Sequence, residues 1–135
     1  MKNRTTPDRI TELKPDEVFV FGSNERGIHG AGAANTARRW GARMGEGHGH
    51  QGQTYALATV SVPGRKLPMP RLKQNVDMFI SYAFYNPAQT FLVTEVGCGL
   101  AGFTAEEIAP LFKEAVAIDN IHLPARFWEV LNSTP

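Results

Sequence analysis

The sequence predicts an α/β sandwich on a mixed or largely parallel sheet, and three observations carry that expectation. Val18 to Phe21 and Phe91 to Thr94 are short runs of β-branched and aromatic residues, the pattern of strands covered on both faces. Each run leads into a glycine-rich loop and then into a helix-forming segment. The elements follow one another roughly as β-β-α-β-α-β-α-β-α, the alternation that parallel strand pairing requires.

Taken in order, Thr5 to Asp16 is polar apart from Ile10 and Leu13 and reads as a short edge strand or a turn. Pro15-Asp16 signals a turn directly before the first core strand. After that strand come Gly22, Gly27, Gly30 and Gly32, and then a helix in which Ala33, Ala34, Ala37 and Trp40 share one face while Arg38 and Arg39 turn away. Gly41 and Gly45 are expected to end it. Gly45 to Gln53 is too glycine-rich for regular structure and reads as a mobile loop. Tyr55 to Val62 recovers strand character, Pro63-Gly64 is a turn, and Pro68 and Pro70 keep the next segment irregular. From Arg71 to Tyr85 the period is helical, with Leu72, Val76, Phe79, Ile80 and Ala83 as an apolar stripe, Pro70 in the first turn and Asn86-Pro87 as the stop. Past the second glycine loop, Thr104-Ala105-Glu106-Glu107 is a capping box that opens a helix with Ile108, Leu111, Phe112 and Ala115 on its buried face. Asp119-Asn120 turns the chain into a last short strand, Ile121 to Leu123, and Pro124 to Leu131 closes the core as a helix carrying Phe127, Trp128 and Leu131.

Composition limits the function classes. At 135 residues the chain, 1–135, is expected to form one domain with a single sizeable core. Hydrophobic residues make up 42% and charged residues 20%, both ordinary for a globular protein. Lys+Arg 14 against Asp+Glu 13 leaves no broad basic surface, so nucleic acid is not the expected partner, although a local patch stays open. Cys98 is the sole cysteine, which excludes an internal disulfide and fits a reducing compartment. The segment Met1 to Pro7 carries no apolar stretch after its basic residues, and no run approaches the roughly 18 apolar residues of a membrane span. A cytoplasmic protein with no membrane partner is the expectation.

The chemistry lies in the two loops. A strand that ends in a glycine loop and opens a helix presents unpaired N–H groups and the positive end of a helix dipole, a ready site for phosphate. Two such loops facing each other could enclose a diphosphate with backbone groups alone, without a basic excess. In open α/β sheets ligands collect beyond the carboxyl ends of the strands, where such loops gather. Gly30-Ala31-Gly32-Ala33-Ala34-Asn35 lacks the third glycine of a dinucleotide fingerprint, and no Gly-Lys-Ser/Thr follows to make a P-loop. A tight βα connection with no ligand is the plain alternative.

Val20-Phe21-Gly22-Ser23-Asn24 followed by Gly27-Ile28-His29-Gly30-Ala31-Gly32-Ala33, and later Gly99-Leu100-Ala101-Gly102-Phe103 between a strand and a helix, resemble the paired loops of the macrodomain family, in the family's order. The resemblance spans about Val18 to Phe112 and implies a three-layer α/β/α sandwich that binds ADP-ribose, free or on an ADP-ribosylated macromolecule. It implies that Asn24 meets the terminal ribose, with Gly30, Ala31 and Gly32 beside the phosphates or that ribose. It implies that Gly99, Leu100, Ala101 and Gly102 wrap the diphosphate, with Phe103 near the ribose or supporting the loop, and that Gly22, Ser23, Gly27, Gly97 and Cys98 belong to the same ligand-binding loops. Asp8 is the nearest match to the family's adenine-binding aspartate. The chain departs from the family in its shortness, in His29 where another glycine is common, and in having no aspartate inside the first loop. No cofactor is implied.

Hydrolytic members of that family use an acidic group or a positioned water near the terminal ribose, and here Glu25, Glu95 and His29 are the residues close enough in sequence to act, with His29 and Glu95 the candidates taken forward. His29 reads equally as a general base and as a ring that braces its loop. Glu95 reads equally as a catalytic carboxylate and as an acceptor for loop N–H groups. Cys98 fits a small buried thiol better than a nucleophile. His48 and His50 have weak metal-ligand character, and the metal expectation is none. Arg38-Arg39 and Arg65-Lys66 read as solvated surface charge, and Arg26, inside the first loop, as the better phosphate contact. Three functions remain in view: an ADP-ribose or nucleotide diphosphate binder, an ADP-ribosyl hydrolase on the same scaffold, and a nucleic-acid or protein interaction domain.

Overall fold

The computed structural model describes residues 3–62 and 64–133. Met1 and Lys2, and Pro63 of the expected Pro63-Gly64 turn, lie outside the described residues. The elements are β1 (Thr5–Thr6), β2 (Glu17–Asn24), α1 (Gly32–Ala37), β3 (Gly49–Gln51), β4 (Thr54–Val62), β5 (Arg65–Lys66), α2 (Met69–Phe84), β6 (Thr90–Val93), α3 (Ala105–Ile108), β7 (Ile121–Pro124) and α4 (Ala125–Ser133). The sheet runs β1-β7-β6-β2-β4-β3, with β5 also on β4. Every pair from β1 to β4 is parallel, and β3 and β5 join β4 antiparallel. The chain is thus α/β with a mixed, mostly parallel open sheet, as its pattern predicts.

The absence of polar alternation in β2 has a direct cause. Val18 and Val20 pack into a cluster with Tyr55, Leu57 and Phe91 that α2 completes through Leu72, Val76, Phe79, Ile80 and Ala83. Phe19 and Phe21 belong to a second cluster with Ala37 and Ala56, against which Trp40 packs. Successive strand residues point to opposite faces, and here both faces are covered. β2 is also where the strand order reverses. The chain leaves β2 for β4 on one side, then returns through α2 to β6 on the other, so the carboxyl ends of β2, β4 and β6 flank a topological switch point.

Four expectations are corrected or extended. Gly45 to Gln53 is not without regular structure, since Gly49–Gln51 forms β3 against Thr54–Ala56. Gln51 is buried there, and its amide accepts from the Arg43 N–H at 2.8 Å and donates to the Glu46 carbonyl at 3.1 Å, which fixes the segment. Arg65-Lys66 is exposed, as its surface-charge reading expects, and it also pairs as strand β5, in register with Val62 and Val60. β2 does not stop at Phe21 but continues through Gly22 and Ser23 to Asn24. The helix opened by the Thr104–Glu107 capping box keeps α-geometry only to Ile108 and continues as a 3₁₀ helix, Ala109–Ala117. Pro110 has no N–H to give the carbonyl one turn back, so the α-ladder is interrupted there. α1 likewise tightens to a 3₁₀ turn, Arg38–Trp40, and ends at Gly41. Among the described residues, no helix is long and apolar enough to cross a membrane.

Candidate functional site

The carboxyl ends of β2, β4 and β6, with the loops that follow β2 and β6, surround a cavity of about 430 Å³. Of the residues nominated by sequence, Gly22, Ser23, Asn24, Gly30, Ala31, Gly32, Glu95, Gly97, Gly99, Leu100 and Ala101 line it. The two glycine loops therefore do face each other across one space. Gly22 and Gly97 bring the strands' ends together: a Cβ on Gly22 would lie 3.1 Å from the Gly97 nitrogen. Gly97 itself holds φ +78°, with Phe103 and Ile108 behind it, a conformation that L side chains rarely adopt. Gly30 and Gly99 differ, since a Cβ at either would meet nothing within 4 Å. Their bare backbone keeps the space open.

Most polar side chains on the lining are already bound to the strands. Thr94 Oγ1 donates to the Val20 carbonyl at 2.8 Å, Thr59 Oγ1 to Ser23 at 3.4 Å, and Ser23 Oγ to Asn24 at 3.1 Å. Asn24 clasps its own loop: Nδ2 donates to the Ile28 carbonyl at 2.9 Å and Oδ1 accepts the Ile28 N–H at 3.0 Å. The amide expected to meet a ribose thus spends one donor and one acceptor site on the loop, and retains a second of each. At the start of α1 the N-cap, Ala31, is extended and offers no side-chain oxygen. The first-turn N–H groups are left uncapped where Ala31, Gly32, Ala33 and Ala34 line the cavity.

Six nominated residues are placed elsewhere. His29 does not line the cavity; it is fully buried, its ring edge-on to Phe21 with centroids 5.2 Å apart. Its Nε2 lies 3.1 Å from the Glu46 carbonyl, which can only accept, so Nε2 is the donor there, and Nδ1 has no hydrogen-bond partner among the described residues. The geometry is that of a brace between loop segments. Gly27 serves the same packing: a Cβ there would fall 2.3 Å from the Glu46 nitrogen. Phe103 is buried in the larger core cluster. Gly102 lies against the Lys66 side chain, and Asp8 is exposed on a bend away from the cavity. Cys98 is half-buried, with Sγ 3.6 Å from the Val96 carbonyl. Burial first, and Glu95 second, push its thiol up to about 11, opposite to what a nucleophile needs. Arg26 is exposed and absent from the lining.

Glu95 is the reverse case. It is solvent-exposed and, among the described residues, is the one ionisable side chain on the cavity wall. A second cavity, about 590 Å³, lies beside Glu25, His48 and Arg71. Arg71 donates to Glu25 at 2.6 Å there, and the His48 ring accepts the Ala58 N–H at 3.5 Å and sits 3.5 Å from the Tyr55 hydroxyl. Burial holds His48 below its ordinary value, Arg71 adds to that and Glu25 opposes it. His50 stacks on Tyr82, and among the described residues no cluster of three His, Cys, Asp or Glu side chains could hold a metal ion. Sequence reasoning missed Ile28, Ala33, Ala34, Thr59, Val60, Gly64, Thr94 and Val96 on the first cavity. Thr59 and Val60 close a recognisable strand, so position alone could have found them; Gly64 gives no such signal. The chain matches no protein family, no curated protein and no solved structure.

Proposed function

We propose that this chain binds ADP-ribose, or a nucleotide diphosphate related to it, between its two glycine loops on a three-layer, macrodomain-like frame. The observation that carries this reading is the shared cavity: both loops line it, at the switch point of the sheet, with a volume of about 430 Å³. That size is within the 300–1,000 Å³ usual for small-molecule sites. Uncapped N–H groups at the start of α1 would receive phosphate oxygens. The spare donor and acceptor of Asn24 and the Glu95 carboxylate would meet ribose hydroxyls. The partner is the free nucleotide or an ADP-ribosylated macromolecule.

Calorimetric titration with ADP-ribose, run beside ADP, AMP and NAD, tests the reading. Micromolar binding of ADP-ribose with weaker AMP supports it; no heat with any of the four removes it. The second reading, an ADP-ribosyl hydrolase, is favoured by one observation, the exposed carboxylate of Glu95 on the cavity wall. It no longer draws on His29. In that case Glu95→Gln lowers turnover of an ADP-ribosylated substrate by about a hundredfold or more while changing affinity little. Equal losses in both would leave binding alone.

A further inference from the structure

Among the described residues the cavity wall has a carboxylate and no cation, which sets a problem for any ligand that carries phosphate. Glu95 would repel such a ligand, and backbone N–H groups alone would have to offset two negative charges. A cation stands beside the second glycine loop. Lys66 is exposed in β5, the strand that the sequence reads as plain surface charge. Its ammonium lies 4.8 Å from the centre of the Phe103 ring, and its Cε and Nζ lie 3.4 Å and 3.8 Å from where a Gly102 Cβ would be. Among the described residues, Lys66 has no carboxylate within ion-pair distance, unlike Arg71, Lys73 and Arg43. Its backbone is held in place. Lys66 pairs with Val60, and the Leu67 N–H donates to the Thr59 carbonyl at 3.1 Å, and both Thr59 and Val60 line the cavity. The β4–β5 hairpin thus sets a free, aromatic-backed cation against Gly102 and Phe103, the end of the loop whose Gly99, Leu100 and Ala101 line the far wall.

The geometry points to Lys66 as the residue that makes this site select phosphate-bearing ligands, by supplying the counter-charge to a diphosphate held on the second glycine loop. The inference rests on the proposed nucleotide reading and adds to it the residue that sets charge selectivity. Gly102 lies beside this arrangement: a Cβ there would stand 3.4 Å from the Lys66 Cε, an ordinary contact distance, so the Lys66 stem already rests against the loop. The cation–π contact with Phe103 holds the ammonium near the loop without neutralising it.

The test titrates ADP-ribose and adenosine into the wild-type chain, Lys66→Gln and Lys66→Arg at two salt concentrations, with thermal melts of all three. A charge-assisted contact predicts about a tenfold weaker ADP-ribose affinity for Lys66→Gln, a flatter salt dependence, near-wild-type affinity for Lys66→Arg, and unchanged adenosine binding and melting. Wild-type ADP-ribose affinity that is independent of salt overturns the inference without any variant. Unchanged ADP-ribose affinity in Lys66→Gln, or equal losses for ADP-ribose and adenosine, overturns it while the nucleotide reading stands. Absence of ADP-ribose binding to the wild-type chain overturns both.

Discussion

Replacing Gly30 with valine should close the cavity and leave the fold intact. A Cβ at Gly30 meets no atom within 4 Å, and its φ is outside the left-handed region, so the new side chain stands in open space. Three added carbons in a volume that a ligand must fill cost about 1–3 kcal/mol, roughly fivefold to 150-fold in dissociation constant. No native contact is lost, and reduced freedom of the unfolded chain adds up to about 1 kcal/mol of stability. Gly97→Ala is the contrast. Its φ of +78° carries a left-handed penalty of about 1–2 kcal/mol, and its Cβ lies 3.2 Å from Phe103 and 3.3 Å from Ile108. Crowding there should bring the loss to about 2–3 kcal/mol, near 10 °C in melting temperature for a chain of this size. Gly32 and Gly102 are less clean choices, because they hold φ of +59° and +86°, where any side chain is strained. Thermal melts and ADP-ribose titrations of both variants decide the matter. If Gly30→Val binds as tightly as the wild type, the cavity is not the site; if it melts as early as Gly97→Ala, the space at Gly30 is not open.

Three further outcomes follow from contacts outside the cavity. The Arg4 guanidinium donates to the carbonyls of Ala115, Val116, Ile118 and Ile121 at 2.7–3.0 Å, which closes the end of the 3₁₀ segment. Arg4→Met should cost about 2 kcal/mol, roughly 8 °C in melting temperature, and a loss below a quarter of that would show that solvent replaces these bonds freely. With its thiol held near 11, Cys98 should react slowly with iodoacetamide at neutral pH, its rate still rising where a free cysteine near 8.5 has levelled off; a plateau at the lower pH refutes the burial argument. His48, held below its ordinary value by burial and by Arg71 against the pull of Glu25, takes up a proton later than it does in the unfolded chain. The unfolded state therefore binds more protons as pH falls below about 6.5, and stability drops in that direction. His48→Gln should flatten the acid side of a melting-temperature profile, and parallel profiles for the two proteins would exclude the histidine as the cause.

The parts of the fold legible in sequence are those decided within one element. The α2 stripe, the capping box at Thr104 and the two-faced burial of β2 all follow from period and local chemistry, and each of the five predicted α2 stripe residues is buried. β3 and β5 were hidden because two or three residues rich in glycine or charge have no pattern of their own. Their strand state comes from the open edge of β4, which only the assembled sheet provides. The 3₁₀ continuation after Ile108 was legible in principle, since Pro110 is visible in the chain, but the apolar spacing of Phe112 and Ala115 suits either helix.

The division between His29 and Glu95 shows what decides a site residue in such loops. Both are charged or polar, both lie within two residues of a glycine, and nothing in their composition separates them. The difference comes from a segment 17 residues away in the chain. The Gly45 N–H donates to the Gly27 carbonyl at 2.9 Å, and the missing Cβ of Gly27 lets the Glu46 backbone come close enough to cover the loop and bond the His29 ring. That cover turns His29 into the wall. Glu95 stays exposed on the opposite loop, with its carboxylate on the cavity. Two glycines in similar loops therefore have opposite consequences: Gly27 admits backbone that seals a side chain away, whereas Gly30 admits nothing and leaves the space for a ligand. Lys66 owes its place to β4, which recruits its strand and sets its stem beside Gly102 of the second loop. In this chain, the residues that set the chemistry are chosen by which glycine lets which segment approach.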